Sequence, residues 1–406
     1  MRSPLTDNHH RQRILRLGVI GLGRAFTLML PAFTTDKRVK LYAAADPRPE
    51  ARTLFASQFG PAYETVEQLC SDPEVEAIYV SSPHQTHAAH VEAAARAGKH
   101  VLVEKPMAIT IEECNRMIDA ARNAGTHLIV GHSHSFDRPI RRLRELIRSD
   151  AFGAVRMITA LNFTDFLYRP RRPEEFVTGQ GGGVVFSQGA HQIDVVRLIG
   201  GGMVKTVNAA TGAWDPARPT EGAYSALLTF DNGAFGSLTY SGYGHFDTDE
   251  WMGGTDEMGH PKDPGRYGSA RNALPSAADS GVEATLKAAR NYGGSAYRAP
   301  APVPDLRHQH FGFVVASCEK ADLRPLPYGV MIYADEAQRL DPLAPPPVAR
   351  YEVIDELYAA VMDGQTPLHS GEWARATLEV CLAILSSAKD ARPVILRHQV
   401  PAAEQD

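Results

Sequence analysis

The sequence predicts two sheets in series: an α/β N-terminal half with a doubly wound parallel sheet, then an α+β C-terminal half with a mostly antiparallel sheet. Three observations carry that reading. Short apolar runs alternate with helical segments from Leu15 to about Gly131. The first run opens into a glycine-rich turn, Gly18-Val-Ile-Gly21-Leu-Gly23. Beyond Phe136 the apolar pattern shifts to the period of two that marks a half-buried strand.

In chain order, the strand signals of the first half are Leu17–Ile20, Val39–Ala45, Ala77–Val80, His100–Val103 and His127–Val130. Continuous apolar runs of this length suit strands buried on both faces, as parallel strands are. Between them, Pro49–Phe59, His87–Ala97 and Ile111–Ala124 read as helices. Gly98 and Gly125 follow two of these, where a helix end favours a left-handed residue. Strands alternating with helices imply crossover connections and hence a parallel sheet.

The second half opens with a helix at Pro139–Arg148, its proline in the first turn. Val155–Asn162, Ala223–Phe230 and Ala234–Tyr240 then alternate, and Asp231-Asn232-Gly233 is a hairpin turn between the last two. The face of this sheet not covered by helices is left to water or to a partner, and a homodimer or homotetramer is expected. Residues 253–304 are rich in Gly and Pro, with one helical stretch near Val282–Arg290. A segment of that length is expected to be a functional arm, here reaching toward a neighbouring subunit, or partly disordered. Tyr351–Met362 and Glu372–Ala388 are helical again, and no internal repeat is found. These shifts place a boundary near residue 135, with 1–135 as one unit and 136–406 as the other.

The chain has 406 residues, which suggests about two domains, and an ordinary globular composition with 44% hydrophobic residues. Its formal charge of −5 argues against nucleic acid as a partner. Cys70, Cys114, Cys318 and Cys381 are far apart and form no metal-ligand or disulfide pattern, so a reduced, cytoplasmic protein without a metal is expected. The polar, His- and Arg-rich start lacks a signal-peptide pattern, and no apolar run is long enough to span a bilayer.

The run Gly21-Leu22-Gly23-Arg24-Ala25-Phe26 follows a strand and opens a helix, the setting of a dinucleotide-binding turn. Gly21 permits the tight turn, Gly23 lets backbone approach a pyrophosphate, and the helix N-terminus offers free N–H groups. Phe26 stands where a small residue normally serves close helix–strand packing. Asp46 ends the second strand, 25 residues after Gly21, where an acid accepts hydrogen bonds from a ribose and favours NAD. Arg48, two residues on, leaves NADP open. The alternative for Asp46 is a turn or a cap of the helix after Pro47.

Two further segments are Ser81-Ser82-Pro83-His84-Gln85-Thr86-His87 and Ala97-Gly98-Lys99-His100-Val101-Leu102-Val103-Glu104-Lys105-Pro106. They closely resemble the Gfo/Idh/MocA oxidoreductases. The likeness resumes at Gly181-Gly182-Gly183-Val-Val-Phe-Ser187-Gln188-Gly189-Ala190-His191-Gln192-Ile193-Asp194. It implies a Rossmann unit in which Ser81, Ser82, Pro83, His84 and His87 belong to the cofactor segment, with Ser82 and Pro83 on the nicotinamide and ribose side. It also implies that Glu104 and Lys105 sit at the mouth of the site, and that His191 is the acid/base histidine. Imidazole suits that task because its pKa lies near operating pH. The family commonly has an Asp four residues before this His; here the position is Ser187, which leaves the division of labour between Lys105 and His191 open. Asp194 lies on the same helix face as His191 and is assigned to structure.

Arg169, Arg171 and Arg172 lie shortly before that glycine-rich entry, and guanidinium binds carboxylate through paired donors. They suggest an anionic substrate; the alternative is a solvated loop or a subunit contact. By the resemblance, His132, His134, Ser187, Gln188 and His191 contact substrate. Within the family, residues 21–31 look most like the dehydrogenases of aromatic-acid degradation, which implies a cis-dihydrodiol of an aromatic acid of the phthalate type. Two other readings stand beside it: a sugar, inositol or polyol dehydrogenase, and a non-catalytic dinucleotide-binding regulator.

Overall fold

The computed structural model describes residues 13–274, 280–301 and 303–403. The polar N-terminal stretch read above, residues 1–12, lies outside the described residues. Six parallel strands build the first sheet: β1 Leu15–Ile20, β2 Val39–Ala45, β3 Ala62–Tyr63, β4 Ala77–Val80, β5 His100–Val103 and β6 Leu128–Val130, in the order β3-β2-β1-β4-β5-β6. The order reverses between β1 and β4, and ligands of open α/β sheets bind beyond the strand ends at such a switch point. Leu17, Val19, Ala77, Ile78, Val101 and Leu102 are fully buried, as two-sided cover by helices requires. Gly98 and Gly125 take the left-handed conformation (φ 72° and 65°) just past their helices.

The second sheet has nine strands: β7 Val155–Phe163, β8 Val204–Gly212, β9 Ala223–Phe230, β10 Phe235–Ser241, β11 Phe313–Cys318, β12 Ala321–Leu326, β13 Gly329–Ala334, β14 Gln338–Pro342 and β15 Val394–Ile395. Their order is β14-β13-β12-β11-β7-β10-β9-β8-β15, and every pairing is antiparallel except β7 with β10. The hairpin at Asp231–Gly233 is present, with Gly233 at φ 84°. The helices Arg138–Arg148, Ala190–Gly200 and Gly371–Asp390 pack on this sheet. The β11–β14 meander was not singled out in the sequence, where Arg324-Pro325 and the charged Gln338–Pro342 interrupt the apolar alternation.

The described part of the 253–304 segment is not wholly irregular. It holds a short helix, Ser269–Ala273, besides the expected one, which spans Ser280–Ala289. Its described residues fold back along the chain. Tyr292 packs edge-on against Phe26 with ring centroids 5.2 Å apart, and its hydroxyl donates to Gln58 at 2.7 Å. A Cβ on Gly293 would meet the Ala51 Cα at 2.9 Å, so this close approach needs a glycine. Phe26 is therefore not a defect of the nucleotide turn. It is fully buried, with Phe55 and Tyr292 as its neighbours, and the arm fills the space beside it.

Candidate active site

The glycine turn separates into one residue the fold needs and one it does not. Gly21 sits at φ 88°, and a Cβ there would lie 2.9 Å from the Ser82 backbone nitrogen. Gly23 has φ −83°, with the nearest atom 3.9 Å from its would-be Cβ. Packing leaves Gly23 free, so open space remains against the backbone where a pyrophosphate would come. No side chain caps the helix Arg24–Thr35, which keeps its N-terminal N–H groups available. Arg24 is held below its ordinary pKa by burial, and then by the charges of Arg350 and Arg290. The open space at Gly23, the uncapped helix N-terminus and Arg24 at its first position suit a diphosphate, so the residues present fit a dinucleotide.

Asp46 is buried, and its carboxylate is already in use. It accepts from the Leu22 N–H at 2.7 Å and from the Arg48 side chain at 3.0 Å on each oxygen. Arg48 also donates to the carbonyl oxygens of Leu22 and Tyr292. The turn reading of Asp46 thus holds in this structure, and a ribose would have to displace Arg48. Ser81 donates to the Gly21 carbonyl at 2.7 Å, and Ser82 bonds the His90 Nδ1 at 2.8 Å. His87 is buried between the carbonyls of Ser82 and Pro106, so it braces the loop from behind. His84 instead lies toward the C-terminal half, on the carbonyl of Gln180.

At the end of β5, Glu104 accepts from the Tyr79 hydroxyl at 2.6 Å. Lys105 Nζ donates to the Ser187 carbonyl at 2.9 Å. Burial draws the Lys105 pKa down to about 8; Glu104 opposes the shift and Arg350 adds to it. Ser187 belongs to a turn of π-helix, Val185–Gly189, that leads into the helix Ala190–Gly200. Such turns are rare and often mark functional sites. The Ser187 hydroxyl bonds back to the Gly183 carbonyl.

His191 is buried, and its Nδ1 has no hydrogen-bond partner. Burial first, then Lys105, His134 and His132, hold its pKa well below the usual value, so it is a neutral imidazole. Its ring lies 4.8 Å from that of His134 and 5.1 Å from that of Phe311. His132 and His134 both bond one carboxylate, Asp137, at 3.0 and 2.7 Å. Burial pushes both histidines down to about 3. The ligand atoms of His132, His134 and Asp137 lie within 4.8 Å of one another, a grouping whose spacing had not pointed to a metal. The two hydrogen bonds to Asp137 account for this arrangement. Asp194 is structural, accepting from Trp373, Thr377 and Ser135.

A cavity of about 220 Å³ opens between the halves, and Lys105, Ser187, Gln188, Arg171, Arg172 and Glu175 are among its lining residues. Two of the three expected arginines are thus brought to one site with Lys105. Arg169 is not among the lining residues; it pairs with Asp165 at 3.2 Å and Glu257 at 3.8 Å, half exposed. Sequence reasoning missed Asp137, Phe311 and Arg350. The run His-Ser-His-Ser-Phe-Asp could have revealed Asp137, but nothing local marks the other two.

With that geometry in hand, two family models match the chain: the oxidoreductase family with an NAD-binding Rossmann fold over residues 15–132, and the GFO/IDH/MocA C-terminal domain over 140–253. The chain belongs to the Gfo/Idh/MocA oxidoreductase family. This Gfo/Idh/MocA chain is 48% identical over 377 residues, 92% of its length and 95% of the relative's, to 1-carboxy-3-chloro-3,4-dihydroxycyclohexa-1,5-diene dehydrogenase of Comamonas testosteroni. It is 30% identical to myo-inositol 2-dehydrogenase of Thermotoga maritima, over 48% of this chain and 58% of that one. A crystal structure from Bordetella bronchiseptica RB50, assigned as a dehydrogenase, superposes with TM-score 0.89 and 40% identity, covering 94% of this chain and all of that one. The chain is an NAD-dependent oxidoreductase, and the regulator reading falls. No helix among the described residues is long and apolar enough to cross a membrane.

Proposed function

We propose that the protein oxidises a carboxylated cyclic dihydrodiol, the cis-diol of an aromatic acid, to the corresponding catechol. The observation that carries this reading is a single cavity lined by Lys105, Arg171 and Arg172 together. The 48% identity to a dehydrogenase of a carboxylated dihydroxycyclohexadiene supports it. The Arg171 guanidinium lies 3.4 Å over the Phe166 ring, and its Nη2 donates to the Phe166 carbonyl at 2.7 Å, so its plane is set before any ligand arrives. We take the boundary between the two units to fall near residue 135, which puts β5 and the cavity wall in different units.

Gly21, Leu22, Gly23, Arg24 and Ala25 would hold the pyrophosphate side of NAD, and Ser82 and Pro83 the nicotinamide side. When bound, NAD supplies the hydride acceptor. The reacting hydroxyl must also lose a proton. Lys105, with its pKa drawn to about 8, is partly a free amine near neutral pH and takes that proton or polarises the oxygen. His191 lies near Lys105 but outside the cavity lining, and its unpartnered Nδ1 can relay the proton onward. Because the product ring is aromatic, the step is strongly downhill and does not need the more basic histidine that a carboxylate at position 187 would create.

The test follows NAD reduction with 3,4-dihydroxycyclohexa-1,5-diene-1-carboxylate, its methyl ester and myo-inositol. Turnover of the carboxylate well above the other two is expected. Arg171→Gln should then raise KM about tenfold to a hundredfold, the range for one lost charge-assisted hydrogen bond. Preference for myo-inositol would instead favour the polyol reading.

A further inference from the structure

The helix Ser280–Ala289 docks in an unusual way. Surface helices ordinarily turn an apolar stripe inward, yet this one leaves Val282 43% and Leu286 38% exposed and buries the Glu283 side chain to 1%. Glu283 accepts from Arg218 Nη1 at 2.7 and 2.9 Å, and Arg218 is itself 3% exposed. Its Oε2 also accepts the backbone N–H of Arg171 at 3.0 Å. One turn on, on the same face, the Lys287 ammonium pairs with the Glu175 carboxylate. That carboxylate also accepts the Arg172 N–H at 2.8 Å and lies 3.4 Å from Arg171 Nη1. Two charged residues, not an apolar stripe, therefore join this helix to the cavity wall. The matched family models end at residue 253, so the helix lies beyond them.

We infer that Glu283 and Lys287 are positioning residues for substrate specificity: the helix Ser280–Ala289 holds Arg171 and Arg172 ready for the carboxylate of the substrate. Glu283 fixes the backbone at Arg171. Lys287 satisfies Glu175, which would otherwise take up the charge of both arginines and present a carboxylate to an anionic ligand. Burial draws Lys287 to about 8, with Glu175 opposing, so the ammonium stays largely charged at neutral pH. Burial opposes ionisation of Glu175, yet Lys287 and Arg171 hold it down at about 2, so that pairing is ionic. The inference rests on the carboxylated substrate proposed above.

The test is Lys287→Met, at a side chain 27% exposed, where methionine keeps the length of the stem and removes the charge. KM for 3,4-dihydroxycyclohexa-1,5-diene-1-carboxylate should rise about tenfold, the size of one lost compensating charge. KM for NAD and for the methyl ester should stay within twofold. Lys287→Arg should retain the wild-type KM. Adding Glu175→Gln to Lys287→Met should recover most of the loss, because the competing carboxylate is gone; a purely structural defect would deepen instead. An unchanged KM in Lys287→Met, an equal rise for ester and NAD, or no recovery in the double variant overturns the inference. Failure of the wild-type protein to turn over the carboxylate at all overturns the substrate reading instead, and the inference with it.

Discussion

In the proposed mechanism the chemistry turns on Gly23 and Lys105, and they differ in what the fold asks of them. Gly23 has ordinary extended dihedrals and no close neighbour, so Gly23→Val should lower the unfolding free energy by only about 1 kcal/mol, the cost of a poor helix N-cap. It should nonetheless abolish NAD binding, because the branched side chain fills the approach to the backbone; calorimetry reads this directly. Lys105 should behave oppositely. Lys105→Ala should keep NAD binding and lower kcat about 10²–10⁴-fold, as removal of a general base does. The sign of the pH dependence follows from its lowered pKa. Below about 8 the ammonium carries the proton and cannot accept another, so kcat/KM should climb with pH and level off above that value. A profile flat from pH 6 to 9 would remove Lys105 as the base.

At the scale of elements, the arm and the nucleotide turn support each other. Phe26 lies at the start of the first helix and is covered by Phe55 from the next helix and by Tyr292 from the arm. Truncating a fully buried aromatic costs about 3–5 kcal/mol. Phe26→Ala should show a loss of that size in denaturant unfolding, and should also loosen the arm, read as faster hydrogen exchange around Tyr292. Loss of stability without faster exchange there would mean that the arm is held by its other contacts, those of Glu283, Lys287 and Arg271 among them. The π-helical turn at Val185–Gly189 belongs to the same scale. It aims the Ser187 carbonyl at Lys105, and a regular helix would carry that carbonyl to an internal bond.

For the whole molecule, the second sheet raises the question of assembly. Met157 (38% exposed) and Phe235 (42%) are direct cross-strand partners, and Leu227 (44%) lies one strand away. Apolar residues on one sheet face are expected to be covered by a second copy. Sedimentation at micromolar concentration should therefore give a homodimer or homotetramer; a monomer would leave that face to solvent and refute the expectation.

The sequence by itself determined the two sheets, the nucleotide turn and the family. Each is written locally: in runs of four or more apolar residues, in Gly21 and Gly23, and in Glu104-Lys105-Pro106 at the end of a strand. It also carried Lys105 and His191, because short motifs hold them. Only the tertiary structure decided which charges meet. The Asp46 carboxylate, read as free for a ribose, is occupied by Arg48, two residues away, through a bend that no periodicity reports. Arg169, Arg171 and Arg172 look alike as a string, yet one faces Glu257 and two line the cavity, since the chain turns between them. Lys287 reaches Glu175 across 112 residues, and Glu283 reaches Arg218 across 65. Hydrophobic period and turn chemistry act over a few residues, whereas ion pairs and cavities form wherever the folded chain happens to converge.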